Sequence, residues 1–368
     1  MSTKVKWIVP CYFNTDNLDN EIEFDLTHCT KKIIENEVWN RDFEYGNRGI
    51  LKDVDPKDII NANAKILPRF TSGYVNEKRI IEYVSVHCNK IHSYFKTENY
   101  KDWYYSLGVV VIEIDLNYKS KTVPSKKQVQ DFNFDSDFLR TYHIHVALLK
   151  EVSSVFLASL HLTYPTRSIM SWNDSPVNDG IFYIASGRKK YITKLNTDSF
   201  MHHILINKNR LDDVQVNING LSSVWHLNLW SLKRLLISVK SNLISMDNLL
   251  DLIYALEGLF EEKASSDFIK MFTIVSLSND KKEARKVKEI LDKAFKIRNE
   301  IAHGSSSFDG YEKIKISGKE ILSQDIYWEM KVIVIRMVIN AINKLKETKG
   351  MKNLNFKSDD LFNLIYKK

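Results

Sequence analysis

The residues best suited to chemistry lie close together near the end of a long helical pattern. Residues 296–304 read Lys-Ile-Arg-Asn-Glu-Ile-Ala-His-Gly, so Arg298, Asn299 and His303 fall within six residues. A guanidinium binds phosphate through paired hydrogen bonds, and an imidazole can give or take a proton near neutral pH. Together these groups form a minimal set for cleaving RNA without a metal ion.

The predicted helix limits how these side chains can be arranged. Arg298 falls on its apolar stripe, where a guanidinium needs a charged partner or a polar cleft. The stripe comprises Val287, Ile290, Leu291, Ala294, Arg298 and Ile301. Asn299 and His303 are four residues apart and share a face, whereas Arg298 and His303 are five apart, about 140° around the helix. Both can flank one cleft if the helix ends near Gly304. The alternative is structural: the arginine pairs with a carboxylate and the histidine caps the helix.

Charge is distributed unevenly along the 368-residue chain, which is long enough for two domains. The net charge is +7, and residues 225–368 hold most of the excess, with 25 basic and 19 acidic side chains against 28 and 27 elsewhere. A modest positive field fits a polyanionic partner such as RNA. A solvated, lysine-rich helix surface explains the same charge equally well.

Cysteine usage and hydropathy predict a cytoplasmic protein. The sequence has three scattered cysteines, Cys11, Cys29 and Cys88. They form no Cys-x-x-Cys pair, which argues against a disulfide framework or a zinc site and fits a reducing compartment. Pro10 interrupts the apolar N-terminus, so we expect no signal peptide. The apolar runs at 109–112 and 332–339 are too short or too charged to span a bilayer, and we expect no membrane partner.

The first 220 residues indicate a mixed, strand-rich domain. The β-branched segment 106–116 predicts a buried strand. Segments 181–185 and 190–195 predict a hairpin, and the alternating segment 213–218, which ends at an Asn-Gly turn signal, predicts another strand. Helical spacing favours a helix over 137–162, although part of that segment also alternates as a strand would.

Beyond about residue 222 the pattern is helical only. Amphipathic spacing and capping residues predict helices at 229–243, 246–262, 267–275, 281–303, 324–346 and 359–366. The fold class that we predict is therefore α+β, with a mixed strand-rich domain at 1–222 followed by an all-α antiparallel helical bundle at 223–368.

Two motifs of the helical part match a known family pattern together. The first is an arginine, four intervening residues and a histidine near a helix end, with a polar residue directly after the arginine, as in Arg298, Asn299 and His303. The second is the Leu-Glu-Gly-Leu element at 256–259 in an earlier helix. With both, residues 228–347 resemble the HEPN superfamily, especially its Apea-like branch. Some HEPN toxins carry a tyrosine that a nucleotidyltransferase modifies where this chain has Ser305, so we do not expect control by that route.

The resemblance implies a metal-independent endoribonuclease that needs no cofactor. Arg298 would hold phosphate oxygens, His303 would transfer protons, and Asn299 would orient the phosphate or the histidine. We expect Glu257 to pair with Arg298 and support it. The residues expected to bind the RNA backbone are Lys296, Lys293 and Arg285.

The resemblance also implies partners and a biological setting. Because one histidine cannot easily act as acid and base at once, a homodimer with a two-fold axis is expected. The protein would be a toxin or an anti-phage defence effector, with an antitoxin or a phage-derived trigger as partner. The N-terminal domain would sense the trigger or restrain the nuclease.

Two other functions fit the same sequence. In the first, the protein is a non-catalytic RNA-binding module, in which Arg298 and the lysines bind phosphate and His303 is structural. In the second, the helical domain serves only as a dimerisation platform. Cleavage of RNA in the presence of EDTA, binding without cleavage, or neither, would separate the three functions.

Overall fold

The structure, a computed structural model, combines an antiparallel sheet with helices, as the predicted α+β class requires. It describes residues 3–14, 22–35, 54–67, 105–117, 136–165, 179–186, 189–196, 204–205, 208–225, 229–240, 246–303, 313–322, 325–347 and 355–366. The chain divides into two compact units, and the main division lies between residues 226 and 227. The predicted boundary between 222 and 223 falls inside a helix that ends at Val224.

Seven strands of the described chain form the sheet of the first unit. They are β1 (Thr3–Asn14), β2 (Ile22–Asp25), β3 (Ile59–Leu67), β4 (Tyr105–Leu116), β5 (Asp179–Ser186), β6 (Lys189–Asn196) and β7 (Ile204–Leu205). Their order is β2-β3-β4-β1-β5-β6 with antiparallel neighbours, and the short β7 pairs in parallel with the end of β1. Strand β4 and the β5–β6 pair confirm the predicted strand and hairpin.

The strand alternation gives this sheet an apolar face and a polar face. Ala64 of β3 and Ile112 of β4 are fully buried neighbours on the apolar face. On the polar face Lys4 of β1 pairs with Asp115 of β4 at 3.1 Å. Such alternation is expected where one face of an antiparallel sheet is packed against the core and the other is not.

Three α-helices are described in the first unit, α1 (Thr27–Glu35), α2 (Ser136–Thr163) and α3 (Leu211–Val224). Helix α2 confirms the helical interpretation of 137–162, and its Phe156 ring lies 5.6 Å from the Phe24 ring of β2. Its segment Tyr142–Thr163 is long and apolar enough to cross a membrane, but 83% of the apolar window is buried inside the protein. The burial of this segment is that of a core helix.

The predicted strand at 213–218 is wrong, because these residues belong to α3. Val214, Ile218 and Leu221 are buried at helical spacing, whereas Val216 is 58% exposed. The alternation of valine and isoleucine was therefore a coincidence within a helical repeat. Gly220 is buried inside the helix, so the Asn-Gly pair does not form a turn.

Six helices of the second unit are described: α4 (Leu229–Lys240), α5 (Met246–Glu257), α6 (Ser266–Leu277), α7 (Lys281–Ala302), α8 (Asp325–Glu347) and α9 (Ser358–Tyr366). Each matches a predicted helix, although α5 ends five residues earlier than expected. Helix α5 contacts α4, α7 and α8, and α7 contacts α6 and α8.

The second unit is not all-α as predicted, because it contains a β-hairpin of β8 (Lys313–Ile316) and β9 (Lys319–Leu322). Its turn residues Ser317 and Gly318 have φ angles of 48° and 81°. Two successive positive φ angles define the type I′ turn, whose twist matches that of antiparallel strands. The Ser-Gly pair between two short alternating segments is a sequence signal that could have predicted the hairpin.

Gly258, directly after α5, allows α4 and α5 to approach closely. A Cβ atom at this position would lie 2.2 Å from Ser231 Oγ and 2.7 Å from the Trp230 ring, both on α4. We expect Gly258→Ala to lower the free energy of unfolding by about 1 to 3 kcal/mol, because the helices must separate. Urea denaturation measures this loss. Ser231→Ala combined with Gly258→Ala removes the closest contact and should recover part of it, whereas full stability of Gly258→Ala would contradict the close approach.

Candidate functional site

Helix α7 carries most of the candidate residues, and local signals set its start. The Asp280 carboxylate accepts a hydrogen bond from the Glu283 N–H at 2.7 Å, and Glu283 accepts one from the Asn279 N–H at 3.0 Å. The first bond satisfies an amide that the helix start leaves without a partner, and the second ties the residue before the N-cap to the first turn. The buried face comprises Val287, Ile290, Leu291, Ala294 and Phe295. The predicted stripe therefore faces the core until its last turns, where Arg298 and Ile301 are only half-buried.

Arg298 joins two helices through its guanidinium group. Its Nη2 lies 3.2 Å from Oε1 of Glu257, the last residue of α5. Its Nη1 donates to Oδ1 of the neighbouring Asn299 at 3.0 Å. The ion pair expected between Glu257 and Arg298 is thus present, and the side chains are 23% and 33% exposed.

Burial and charge act in opposite directions on Glu257. Loss of hydration is the larger effect and raises the pKa of this carboxyl, while the positive charge of Arg298 lowers it. The net result is a pKa above the ordinary value. The ionised form of Glu257 is thus disfavoured by burial and favoured by the charge of Arg298.

His303 ends the helix and lies at the surface. It is the C-cap of α7, its backbone N–H donates to the Asn299 carbonyl at 3.0 Å, and its side chain is exposed. The part played by the neighbouring Gly304 lies outside the described residues, as does Ser305.

An open cleft of about 360 Å³ lies between α6 and α7. Its lining comprises Ser266, Lys270, Asp292, Phe295, Lys296, Asn299, Glu300 and His303. Asn299 and His303 therefore share the cleft that their four-residue spacing allows. Arg298 is not part of the lining and reaches the cleft only through its hydrogen bond to Asn299. We call this lining set the α6–α7 cleft.

The charges of the α6–α7 cleft are paired. Lys270 lies 3.1 Å from Asp292 and 3.1 Å from Asp267, and Lys296 lies 3.5 Å from Glu300. Burial raises the pKa of Asp292, but hydrogen bonds and charge from Lys288 and Lys270 outweigh it and leave the pKa below the ordinary value. The formal charges of the two lysines and two carboxylates cancel, so the cleft itself is not a strongly positive pocket.

The three residues predicted to bind RNA are spread along α7. Lys296 lines the α6–α7 cleft and its side chain is 67% exposed. Lys293 is half-buried outside the lining. Arg285 pairs with Glu289 at 3.2 Å and lies about 27 Å along the helix from His303 at 1.5 Å per residue. Only Lys296 is thus brought together with Asn299 and His303.

Sequence reasoning missed the α6 side of the cleft, which Ser266 and Lys270 provide. Nothing in the local pattern of α6 marks these residues, since the contact between α6 and α7 arises from the packing of the bundle. The opposite charges of Lys270 and Asp292, 22 residues apart in the chain, are a weak signal because such pairs are common.

The described residues contain no metal-binding cluster, and the chain matches no known protein in three comparisons. Within the described ranges, no group of three or more His, Cys, Asp or Glu side chains is placed to hold a metal ion. Comparisons with known protein families, with curated proteins and with solved structures gave no match. The resemblance to HEPN proteins therefore rests on the motifs around Glu257, Arg298 and His303.

The ion pair predicts a pH-dependent loss of stability. Arg298→Met removes the charge that lowers the pKa of Glu257 and leaves the burial that raises it. We expect the variant to lose about 1 to 2 kcal/mol at pH 7, because both side chains are only partly buried. The folded-state pKa of Glu257 then lies further above its unfolded value, so the loss shrinks as falling pH protonates Glu257. Denaturation measured from pH 7 down to about pH 5 follows this recovery.

The control for this experiment is Glu257→Gln combined with Arg298→Met. It lacks the titrating carboxyl and should show no recovery relative to Glu257→Gln alone. A loss in Arg298→Met that is the same at every pH would contradict the coupling of the two groups.

Proposed function

We propose that the protein is a metal-independent endoribonuclease. The observation that carries the proposal is that His303 and Asn299 line one open cleft while Arg298 holds the Asn299 amide. An exposed imidazole and an oriented amide supply proton transfer and a hydrogen-bond donor in the cleft, and the part-exposed guanidinium beside the lining adds a group that can bind phosphate. The resemblance to HEPN proteins supports the same reaction.

The chemistry uses the nucleophile that RNA itself carries. A base removes the proton of the 2′-hydroxyl, the hydroxyl oxygen attacks the phosphorus, and the 5′-oxygen leaves with a proton from an acid. His303 serves as base or acid. The products are a 2′,3′-cyclic phosphate and a 5′-hydroxyl.

Asn299 and Arg298 stabilise the charge that develops on the phosphate. Because Asn299 Oδ1 accepts from Arg298 at 3.0 Å, Nδ2 is the end of the amide that can donate to a phosphate oxygen. Arg298 makes one hydrogen bond to Asn299 and one to Glu257, which leaves three of the five N–H donors of a guanidinium outside these bonds. Glu257 acts as a supporting residue that orients the guanidinium.

The proposal includes a homodimer. One chain supplies one His303, and a two-fold axis near the end of α7 would bring two imidazoles to one substrate strand, one as base and one as acid. The exposure of His303 at the helix end is compatible with such a composite site. The helices of the second unit, with the hairpin as an addition, would be the HEPN bundle.

The proposed biological role is that of a cytoplasmic toxin or anti-phage effector. In this role the first unit senses a phage-derived trigger or restrains the nuclease, and an antitoxin is the alternative partner. The proposal rests on the family resemblance alone, and growth of cells that express the wild-type protein and His303→Ala tests it.

Non-catalytic RNA binding is the second candidate function. In this function the 67% exposed Lys296 contacts the RNA backbone, and His303 serves only as the C-cap of α7. The third candidate, a dimerisation platform, is favoured by the exposed Trp230 and Ile237, seven residues apart on one face of α4. The experiment below distinguishes all three candidates.

Labelled RNA incubated with the protein in EDTA should be cleaved by the wild type. His303→Ala should lower the rate by about 100- to 10,000-fold, the range expected for loss of a general acid or base. His143→Ala, which replaces an exposed histidine of α2, is the matched control and should cleave as the wild type does. Equal cleavage by His303→Ala, or none by the wild type, would remove the proposed activity. Unchanged cleavage by Glu257→Gln would remove only the supporting role.

RNA affinity measured at several salt concentrations tests where the bound RNA contacts α7. Lys296→Ala should weaken binding and lower the slope of log affinity against log salt by about 1, as expected for one lost phosphate contact. Arg285→Ala removes the same charge further along α7 and should lose less, because Arg285 lies outside the α6–α7 cleft, about 27 Å along the helix from His303. Equal losses would mean that RNA follows the whole helix, and no loss for Lys296→Ala would place the strand elsewhere.

A further inference from the structure

Trp230, in the first turn of α4, is a large aromatic side chain that the protein leaves half in solvent. The residue is 50% exposed, and the reaction proposed above does not use it. A single exposed apolar side chain is common on protein surfaces, so the groups that surround the indole ring decide what it can bind.

Two neighbouring side chains hold the Trp230 ring in place. The guanidinium of Arg234, one turn further along α4, lies 5.5 Å from the centre of the ring. The Tyr254 ring of α5 lies 6.4 Å from the indole ring, and Arg234 also lies 5.9 Å from the Tyr254 ring. Asp251 fixes the guanidinium through an ion pair of 2.8 Å. The indole ring is therefore preorganised, which reduces the conformational entropy that is lost when a ligand binds.

The Trp230 ring also lies next to the ion pair that supports the candidate site. A Cβ atom at Gly258 would lie 2.7 Å from the ring, so the ring packs against the Gly258 backbone. Gly258 directly follows Glu257, whose carboxylate lies 3.2 Å from the Arg298 guanidinium. Neighbouring Cα atoms are about 3.8 Å apart. The exposed ring and the guanidinium of Arg298 are thus connected through two consecutive residues of one compact unit.

The ion pairs on both sides of the ring present their positive members to solvent. Arg234 is 39% exposed against 11% for Asp251, and Arg298 is 33% exposed against 23% for Glu257. The surface beside the ring therefore attracts anions, although the formal charges of each pair cancel. An aromatic ring flanked by guanidinium groups combines a stacking surface with phosphate-binding groups, as sites for single-stranded nucleic acids do.

We propose that Trp230 forms a base-stacking subsite for single-stranded RNA. A nucleobase stacks on the exposed part of the indole ring, and the phosphates on its two sides contact Arg234 and Arg298. The subsite accepts any base, because every base has a π-face. It excludes duplex RNA, whose bases are already paired and stacked. The proposal rests on the ribonuclease function proposed above and specifies single strands as the substrate.

A second copy of the chain is the alternative occupant of this surface. The exposed half of the Trp230 side chain offers about 125 Å². Ile237, another exposed residue of α4, lies beyond the charged Arg234. A stable dimer needs about 800 Å² from each partner, whereas one nucleobase needs only one aromatic face. The small apolar area and the neighbouring positive charge therefore favour a nucleotide.

The affinity of the full chain for RNA with and without bases tests the proposal. One probe is a labelled 2′-O-methyl oligoadenylate, which lacks the nucleophile and stays intact, and the other is the same backbone without bases. The wild type should bind the oligoadenylate more tightly than the baseless oligomer. Trp230→Ala should weaken binding of the oligoadenylate about 5- to 150-fold, as expected for one lost base–aromatic stack. It should leave the affinity for the baseless oligomer unchanged.

Two control variants separate stacking from folding. Trp230→Phe keeps an aromatic ring and should retain most of the affinity for the oligoadenylate. Ile237→Ala removes an exposed apolar side chain of the same helix and should bind both oligomers as the wild type does. Damage to the fold, or to the placement of Arg298, would weaken the binding of both oligomers alike.

An equal loss for both oligomers in Trp230→Ala, or no loss for either, would overturn the subsite. Dissociation of a dimer in both Trp230→Ala and Ile237→Ala, with unchanged RNA affinity, would assign the surface to a second copy and overturn it too. Cleavage of ordinary RNA in EDTA distinguishes this failure from that of the proposed function. The expected loss of base-dependent binding in Trp230→Ala, without any cleavage by the wild type, would keep the subsite and remove the reaction.

Discussion

The ion pair between Glu257 and Arg298 organises the end of α7. It links the last residue of α5 to a guanidinium that lies on the core-facing stripe of α7, at 3.2 Å. The same guanidinium holds the Asn299 amide at 3.0 Å, and Asn299 lines the α6–α7 cleft with His303. The Arg298 side chain thus connects α5 to the Asn299 amide, which faces the cleft.

The position of this pair depends on where α5 ends. Helix α5 stops at Glu257 and is followed by Gly258, where a Cβ atom would collide with Ser231 and Trp230 on α4. Partial burial raises the pKa of Glu257, because lost hydration offsets part of the attraction between the two charges. The ion pair therefore contributes more to the placement of the guanidinium than to the stability of the fold. Such a pair specifies where a guanidinium points, which is what a phosphate-binding role requires.

Local signals in the sequence were enough to predict α7, but they could not predict the residues that pack around it. The Asp280 cap and the three- and four-residue spacing are complete within the helix, and the need of Arg298 for a partner follows from its place on the stripe. Two errors came from local patterns with two meanings. The alternation of apolar and polar residues in α3 also fitted a strand. The Ser317-Gly318 turn lies between two lysine-containing segments, and the hairpin that it forms was not predicted.

The remaining features depend on contacts between distant parts of the chain. Lys270 enters the α6–α7 cleft because α6 packs on α7, and its pairing with Asp292 neutralises charge that the composition alone would count as positive. In the first unit, Asp25 and Asn63 meet only because β2 and β3 pair in one register. A one-residue shift of that register would place their side chains on opposite faces.

The chemical nature of the RNA ends tests the central claim most directly. Wild-type protein should cleave RNA in EDTA to fragments that polynucleotide kinase labels at the 5′ end without prior phosphatase treatment, and whose 3′ ends are cyclic phosphates. This result requires attack by the 2′-hydroxyl, as expected for His303 and Arg298 acting without a metal ion. Fragments with 5′-phosphate and 3′-hydroxyl ends, or no fragments at all, would contradict the account.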